Sequence, residues 1–416
     1  MKARRQSILE IARMAKAARP PRVGIQVERN RAHGRGVLEG IADYQLAETN
    51  WQVELLERKD LLKPDVLAGF DGIVARVMDN EVADALVAFG KPVVDAYGRL
   101  DDNPLTSIRL DDAAIGEMAA AAFSDHYFRN CAFCGFPGIR FSEARGAAFK
   151  ASVESQGGVC SVYGENSRHA FHDRMFLRER VDSVADESAL ATWVRKLPKP
   201  VAVFCCNDLR ALQLQRVCVK RRIALDRSIS ILGVDNDIVL CTFSKPSLSS
   251  IDTDPRALGR TAARLLDRQL RGERKKKDGP QQFLHPPRGV VERMSTAVYP
   301  FKTPWLPGAV EFIRAHLREG VSANDVVKFV GYSHPVVGRA FKEEMGMTIQ
   351  KEIIRLRCNL ACRLLAETDL SSAEIAVRCG YPDIHYFYHV FTESFKEPPE
   401  AWRKSWRADH AGLGGR

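Results

Sequence analysis

The sequence predicts an α/β unit of two lobes followed by an all-α unit. Three observations carry that reading. Short apolar runs alternate with helix-spaced patterns from Arg22 to about Arg271. Strand signals stop after Pro307, where helical patterns take over. Within that last part a helix–Gly–Tyr–helix pattern occurs twice, 49 residues apart. A chain of 416 residues has room for two to three domains, at roughly 100–200 residues each.

In the first part, Arg22–Glu28 reads as a strand and Gly36–Ala47 as a helix, with Val37, Ile41 and Tyr44 at helical spacing. Strands are expected at Trp51–Leu56, Asp71–Arg76 and Lys91–Asp95, with helices at 79–89 and 112–126. The cycle then restarts. Strand-like runs Cys131–Phe136, Val159–Tyr163, Val201–Cys206 and Ile229–Val234 alternate with helical 142–156, 186–197, 208–222 and 255–271. Alternating strands and helices predict parallel sheets covered on both faces. Two consecutive sets predict two similar lobes, whose strand C-terminal ends face a ligand-binding cleft.

Arg271–Pro280 is a charged, turn-rich break that reads as a solvated loop. A return segment, Gln281–Val291, follows it. Tyr299–Pro307 holds three prolines in nine residues and reads as a linker. Beyond it, Ala309–Arg318 is helical. Ser322 and Asp325 have capping-box spacing and open a helix to Val330. Gly331-Tyr332-Ser333 stops and restarts the chain, and the next helix runs to about Met345, before Gly346. Thr348–Glu367 is a longer helix with the stripe Ile349, Ile353, Leu356, Leu360 and Leu364. Ser371–Glu374 then repeats the capping box, and Gly380-Tyr381-Pro382 repeats the stop before a helix through Phe391.

One such unit is a helix-turn-helix. A glycine takes the left-handed conformation at the turn. Pro335 and Pro382 fall where a second helix begins, in the turn that needs no backbone donor. Phe341 and Phe391 are placed to bury against the first helix of each unit. The outer face of each second helix is left for a DNA major groove. Two units on a stiff spacer can read two groove segments about 34 Å apart. A single helix–Gly–helix is merely a helical hairpin; the matched pair is far more specific.

Charge alone does not mark this part as a DNA binder. The chain carries a net charge of +10, but residues 304–416 hold 15 Lys and Arg against 14 Asp and Glu. The excess sits in residues 1–22, with 7 against 1, and in 268–293, with 8 against 3. Ten cysteines lie in apolar runs or helical patterns, as reduced core thiols do. Cys131 and Cys134 have CxxC spacing, but no second ligand pair accompanies them, so packed thiols are the expectation. No stretch of about 18 apolar residues predicts a membrane span. The basic start, Met1–Arg19, lacks the apolar core of a signal peptide. A cytoplasmic protein without membrane contact is expected.

The run SSAEIAVRCGYPDIHYFYHVFTESFKEPPEAWR, Ser371–Arg403, resembles the signature of AraC/XylS-family regulators. Gly331, Tyr332, Ser333, Arg339, Phe341, Lys342 and Gly346 fit the same pattern. Cys379–Phe391 is similar to a branch of that family in which a LacI-like, periplasmic-binding-protein-like sugar domain precedes the AraC-type domain. Arg145–Phe149, Gly233–Asn236 and Val291–Thr296 match that sensor. The resemblance covers about 22–406. It implies a transcription regulator that binds direct-repeat half-sites in double-stranded DNA and contacts RNA polymerase. It also implies a homodimer and an effector that is xylose or a related pentose or other monosaccharide. Lys396 stands where the family usually has Gly, and His389 where it often has Arg. Glu28–Arg35 is less alike.

The domains expected are a basic extension at 1–21, a ligand-binding domain at 22–298, a linker at 299–307, an AraC-type domain at 308–406 and a flexible tail at 407–416. By the family pattern, base contacts fall on His334, Gly338 and Arg339 in the first unit and on His385, Tyr388 and His389 in the second. Arg grips guanine with two hydrogen bonds. A sugar needs bidentate polar groups and an aromatic face. Phe141, Arg145, Asn207, Asp208, Asp235 and Asn236 follow strands, and Arg35 opens the first helix; these are the candidate ligand contacts. No cofactor or metal is expected. Two other readings stand beside the regulator. One is a sugar-binding protein whose C-terminal helices bind protein. The other is an α/β enzyme, for which no phosphate-loop, dinucleotide-binding, nucleophile-elbow or zinc-protease motif speaks.

Overall fold

The computed structural model describes residues 19–100, 102–164, 187–225, 228–273 and 279–410. Most of the basic extension, part of the charged break and the end of the tail lie outside the described residues. The chain divides between Val298 and Tyr299 into two compact units.

The first unit has two six-stranded sheets. Its strands are β1 (Arg22–Gln26), β2 (Gln52–Leu55), β3 (Gly72–Ala75), β4 (Val93–Asp95), β5 (Thr106–Leu110), β6 (Asn130–Cys134), β7 (Val159–Val162), β8 (Val201–Cys205), β9 (Ile229–Val234), β10 (Ser249–Asp252), β11 (Gln282–His285) and β12 (Gly289–Val291). One sheet runs β11-β5-β4-β3-β1-β2 and the other β12-β10-β9-β8-β6-β7. All pairings are parallel except β10 with β12. Central β3, β8 and β9 are buried along their whole length. This is why they read as unbroken apolar runs rather than alternating ones. Cys131 and Cys134, three apart on β6, point to opposite faces and join different core clusters, so they cannot share a metal or a disulfide.

The lobes are not two consecutive stretches of chain. The helices of this unit are α1 (Ala32–Glu48), α2 (Pro64–Ala68), α3 (Asn80–Phe89), α4 (Asp112–Asp125), α5 (Arg140–Ser155), α6 (Glu187–Lys196), α7 (Asp208–Lys220), α8 (Ile238–Phe243) and α9 (Pro255–Leu270). Helix α4, the last of the expected first set, packs on α5 in the second lobe. Helix α9, the last of the second set, packs on α1 in the first. The chain therefore passes between lobes three times, after β5, after β10 and between β11 and β12. Glycines make the helix pairings possible. A Cβ on Gly40 would stand 1.9 Å from the Arg256 carbonyl oxygen, and one on Gly259 2.1 Å from that of Val37. Gly116 of α4 lies as tightly against α5, 2.4 Å from the Arg145 oxygen.

The second unit is helical: α10 (Leu306–His316), α11 (Ala323–Val330), α12 (His334–Ala340), α13 (Ile349–Glu367), α14 (Ser372–Arg378), α15 (Ile384–Phe395) and α16 (Pro399–His410). One wider π-turn, Phe341–Met345, extends α12 to Gly346. Both capping boxes form, Ser322 with Asp325 and Ser371 with Glu374. The Pro-rich stretch packs on this unit rather than hanging free. Lys302 and Thr303 N–H donate to the Glu344 carboxylate at 2.5 and 3.1 Å, and Trp305 stacks on Tyr332. Among the described residues no helix is long and apolar enough to cross a membrane.

Gly40→Ala is expected to lower the stability of the first unit by about 1–3 kcal/mol, the usual result of forcing a methyl into a filled space. Gly259→Ala should do the same from the other side of that crossing. Urea denaturation of both variants checks this.

Candidate functional site

A cavity of about 390 Å³ opens where the C-terminal strand ends of the two lobes face each other. Strand geometry explains its lining, because the residue after each strand leaves the sheet toward the cleft. From the first lobe come Glu28, Arg31 and His33 beyond β1, Arg76 beyond β3, Tyr97 beyond β4, and Arg109 on β5. From the second come Phe141 and Arg145 on α5, Asn207 beyond β8 and Asp235 beyond β9.

Four of the seven ligand candidates thus meet in one cavity: Phe141, Arg145, Asn207 and Asp235. Arg145 is buried, donates to Asp112 at 2.8 Å and to the Cys206 carbonyl at 2.6 Å, and lies 4.9 Å from the Phe141 ring centre. Asn207 both lines the cavity and caps α7, accepting from the Arg210 N–H at 2.9 Å. Asp235 and Asn236 hold φ values of 101° and 48°. Such left-handed backbone in non-glycine residues clusters at ligand sites. The Asn236 N–H donates to Ser250 Oγ at 2.9 Å and so pins this turn.

Three candidates fall elsewhere. Arg35 is exposed and donates to the Arg29 carbonyl at 3.4 Å. Helix α1 begins at Ala32, so Arg31 at its N-terminus faces the cavity while Arg35, one turn on, faces solvent. Asp208 is sunk beneath the cleft. It accepts from Ser250 Oγ at 2.5 Å, the Asp237 N–H at 2.8 Å and Cys241 Sγ at 3.4 Å. Burial, and then the neighbouring Asp235, push its carboxyl well above the usual range. Asn236 Oδ1 is taken by Arg293 at 2.8 Å.

The first lobe supplies side chains outside the candidate set. Arg76 pairs with Glu28 and lies 4.3 Å from the Tyr97 ring centre; Arg31 pairs with Glu28 at 3.3 Å. The loop carrying Tyr97 is built on Asp95, which accepts from the N–H groups of Val77, Tyr97 and Gly98 and from Asn103 Nδ2. Burial outweighs these bonds and pushes the Asp95 carboxyl up to about 6. The strand-end rule finds Glu28 and Arg76 when applied to the first lobe. His33 and Arg109 carry no spacing signal; only the closing of two lobes puts them here.

In the helical unit, Phe341 and Phe391 are fully buried, as are Val326 and Ile375 opposite them. The turn glycines Gly331 and Gly380 hold φ values of 76° and 71°. At Gly380 a Cβ would also come within 2.0 Å of the Leu317 carbonyl oxygen. His334 and Arg339 on α12 are exposed and Gly338 is half-buried between them. On α15, His385 and His389 are exposed. Tyr388 turns inward: it is half-buried against the core and its hydroxyl donates to Glu400, which also accepts from Ser372. Tyr386 is the tyrosine on the outer side. Pro382 stands outside α15, whose N-cap is Asp383, bonded to the Tyr386 N–H at 2.8 Å. Lys396 ends α15 in the left-handed conformation, φ 65°, as Gly346 ends the first unit at 73°. The helix therefore stops as a glycine would stop it, at the expense of local strain.

Burial, followed by Arg76 and Arg145, lowers the His33 pKa from 6.5 to about 3. The unfolded chain takes up this proton near pH 6.5 and the folded one only near pH 3. Stability is therefore retained above 6.5 and lost as pH falls between those values. From pH 7 to 5 this one group should remove roughly 2 kcal/mol. His33→Asn should flatten that part of the pH dependence in urea denaturation.

Residues 120–296 match the model of a periplasmic binding protein-like domain, and residues 326–405 that of a helix-turn-helix domain. The chain is 30% identical to the xylose operon regulatory protein of Escherichia coli K12, over 92% of this chain and 96% of that one. It is 28% identical to the Haemophilus influenzae protein of the same name, over 92% and 98%. A solved xylose-binding transcription activator, XylR, superposes with a TM-score of 0.56 at 28% identity, covering 93% of this chain and 99% of the other. The similarity runs through sensor and helical unit alike, so the chain belongs to the family of the xylose operon regulatory proteins, AraC-type transcription regulators with a periplasmic-binding-protein-like sugar sensor.

Proposed function

We propose that this regulator takes a small sugar of the pentose class in the cavity between its lobes and reads a direct-repeat operator with α12 and α15. The observation that carries the proposal is a polar, aromatic-walled cavity closed by both lobes in a chain that also holds two helix-turn-helix units with exposed second helices. The names of the relatives, xylose operon regulatory protein and xylose-binding activator, favour xylose or a close relative as effector. Phe141 offers a sugar its flat face; Arg145, Asn207 and Asp235 offer hydroxyl partners. Ligand binding to both lobes favours the closed state over the open one, and that bias is passed to the DNA-binding units of a homodimer. RNA polymerase is the second protein partner. A cytoplasmic location suits a gene regulator whose cysteines are all free. We assign no catalytic role, since the relatives are regulators.

Base contacts are assigned to His334, Arg339, His385 and His389, with Gly338 allowing close approach. Tyr386 takes the place of Tyr388. A duplex enriched from a random pool by the wild-type protein provides the probe. Arg339→Ala should weaken its gel shift about 5- to 140-fold, the equivalent of 1–3 kcal/mol. Tyr388→Phe should lose about 1 kcal/mol of stability and leave the affinity within about twofold. Unchanged binding by Arg339→Ala would remove that contact from the assignment.

A further inference from the structure

The cavity is strongly cationic. Six arginines line it against three carboxylates. The pairing is uneven. Glu28 serves both Arg76 and Arg31, and Asp112 serves Arg145. Arg140 reaches across from α5 to the Arg99 carbonyl at 2.7 Å. Among the described residues, the guanidinium groups of Arg99 and Arg109 make no hydrogen bond or ion pair, although Arg99 is exposed and its charge also acts on Asp79. Arg109 is the more telling of the two. Its Nε is buried without a partner, and its stem is held beside Gly98, where a Cβ would stand 2.7 Å away. Gly98 leaves the space that this arginine fills.

A buried guanidinium donor with no acceptor is unfavourable unless a ligand supplies one. Neutral hydroxyls satisfy it weakly, whereas an anionic oxygen makes a shorter, stronger, often bidentate bond. We propose that the preferred effector is an anionic monosaccharide, whose carboxylate or phosphate is held by Arg109 and Arg99 at the first-lobe wall. This rests on the effector reading above and narrows it. Phe141, Asn207 and Asp235 take the ring and its hydroxyls on the opposite wall. His33 Nδ1, also buried without a partner, stands ready for one hydroxyl. Burial, and after it the charges of Arg76 and Arg145, hold that histidine neutral, so it adds no further positive charge.

Full-length protein is titrated calorimetrically, and by thermal shift, with xylose, xylonate, xylose 5-phosphate and inorganic phosphate. The expected result is that one acidic sugar binds at least tenfold more tightly than xylose. The xylonate and phosphate arms tell which anion is read. Arg109→Gln should cut the anion-to-neutral affinity ratio at least fivefold and Arg109→Lys should restore part of it. Arg99→Gln gives a second reading should the Arg109 variants fold poorly. Xylose binding as tightly as every acidic sugar overturns the inference and leaves the effector reading standing. Binding of inorganic phosphate alone, with no added affinity from the sugar, overturns both. So does the failure of every compound to bind.

Discussion

Everything in the sensor follows from the chain's passing three times between its two lobes. Two passages link a strand of one lobe to a helix of the other, and the third links β11 to β12. The crossing segments are tied to one another. The Asp111 N–H donates to the His285 carbonyl at 2.8 Å, the Arg288 N–H to that of Asp252 at 2.8 Å, and His285 Nε2 contacts the Asp254 carbonyl at 3.1 Å. The first lobe is thereby completed by α9 and β11, which follow all of β6–β10 in the sequence, while the second takes α4 from just ahead of β6 and β12 from beyond the last crossing. Gly36, Gly40 and Gly259 permit the approach of α1 and α9 that this arrangement demands.

The same crossings build the cavity. Asp112 begins α4 directly after the first passage, and there it meets Arg145 from α5. Buried ion pairs are costly to desolvate and gain only where geometry and further hydrogen bonds are good. Arg145 satisfies both conditions through Asp112 and the Cys206 carbonyl. It stands at the junction of the hinge, the β8 end and the Phe141 ring, where a ligand and a lobe movement are felt together. Asp95 does comparable work in the first lobe by gathering four donors, which holds Tyr97 against Arg76.

The helical unit rests on repetition with small departures. Two capped short helices, two left-handed turn residues and two buried phenylalanines recur at matching positions. The copies differ where they meet other parts of the unit. Gly331 has open space around it, while Gly380 is pressed against Leu317. Lys396 accepts a backbone conformation that its counterpart Gly346 adopts without strain. In the second unit, α15 spends Phe387, Val390 and Phe391 on the core it shares with α13 and leaves His385 and His389 outside.

Local features were legible in the sequence because they rest on short-range physics. Apolar runs marked most of the strands, serines with an acid three residues on marked two helix starts, and paired Gly-Tyr motifs marked the turns; β5 (Thr106–Leu110) and β10 (Ser249–Asp252), rich in serine and threonine, carry no apolar run and were not expected. Phe141, Arg145, Asn207 and Asp235 were also legible, since each follows a strand and the chain direction alone sends it toward the cleft. Which lobe owns α4 and α9 was not legible, because adjacency in sequence favours the wrong answer and only the long-range crossings decide. Nor was the inward turn of Tyr388, which depends on Glu400 from another helix. Arg76 directly follows a strand and was open to the same rule, but nothing near His33 and Arg109 in sequence says that they share one field with it. Local propensity and periodicity determined the elements; the closure of two lobes by three crossings decided which side chains confront one another, because charge and burial are properties of space and not of order along the chain.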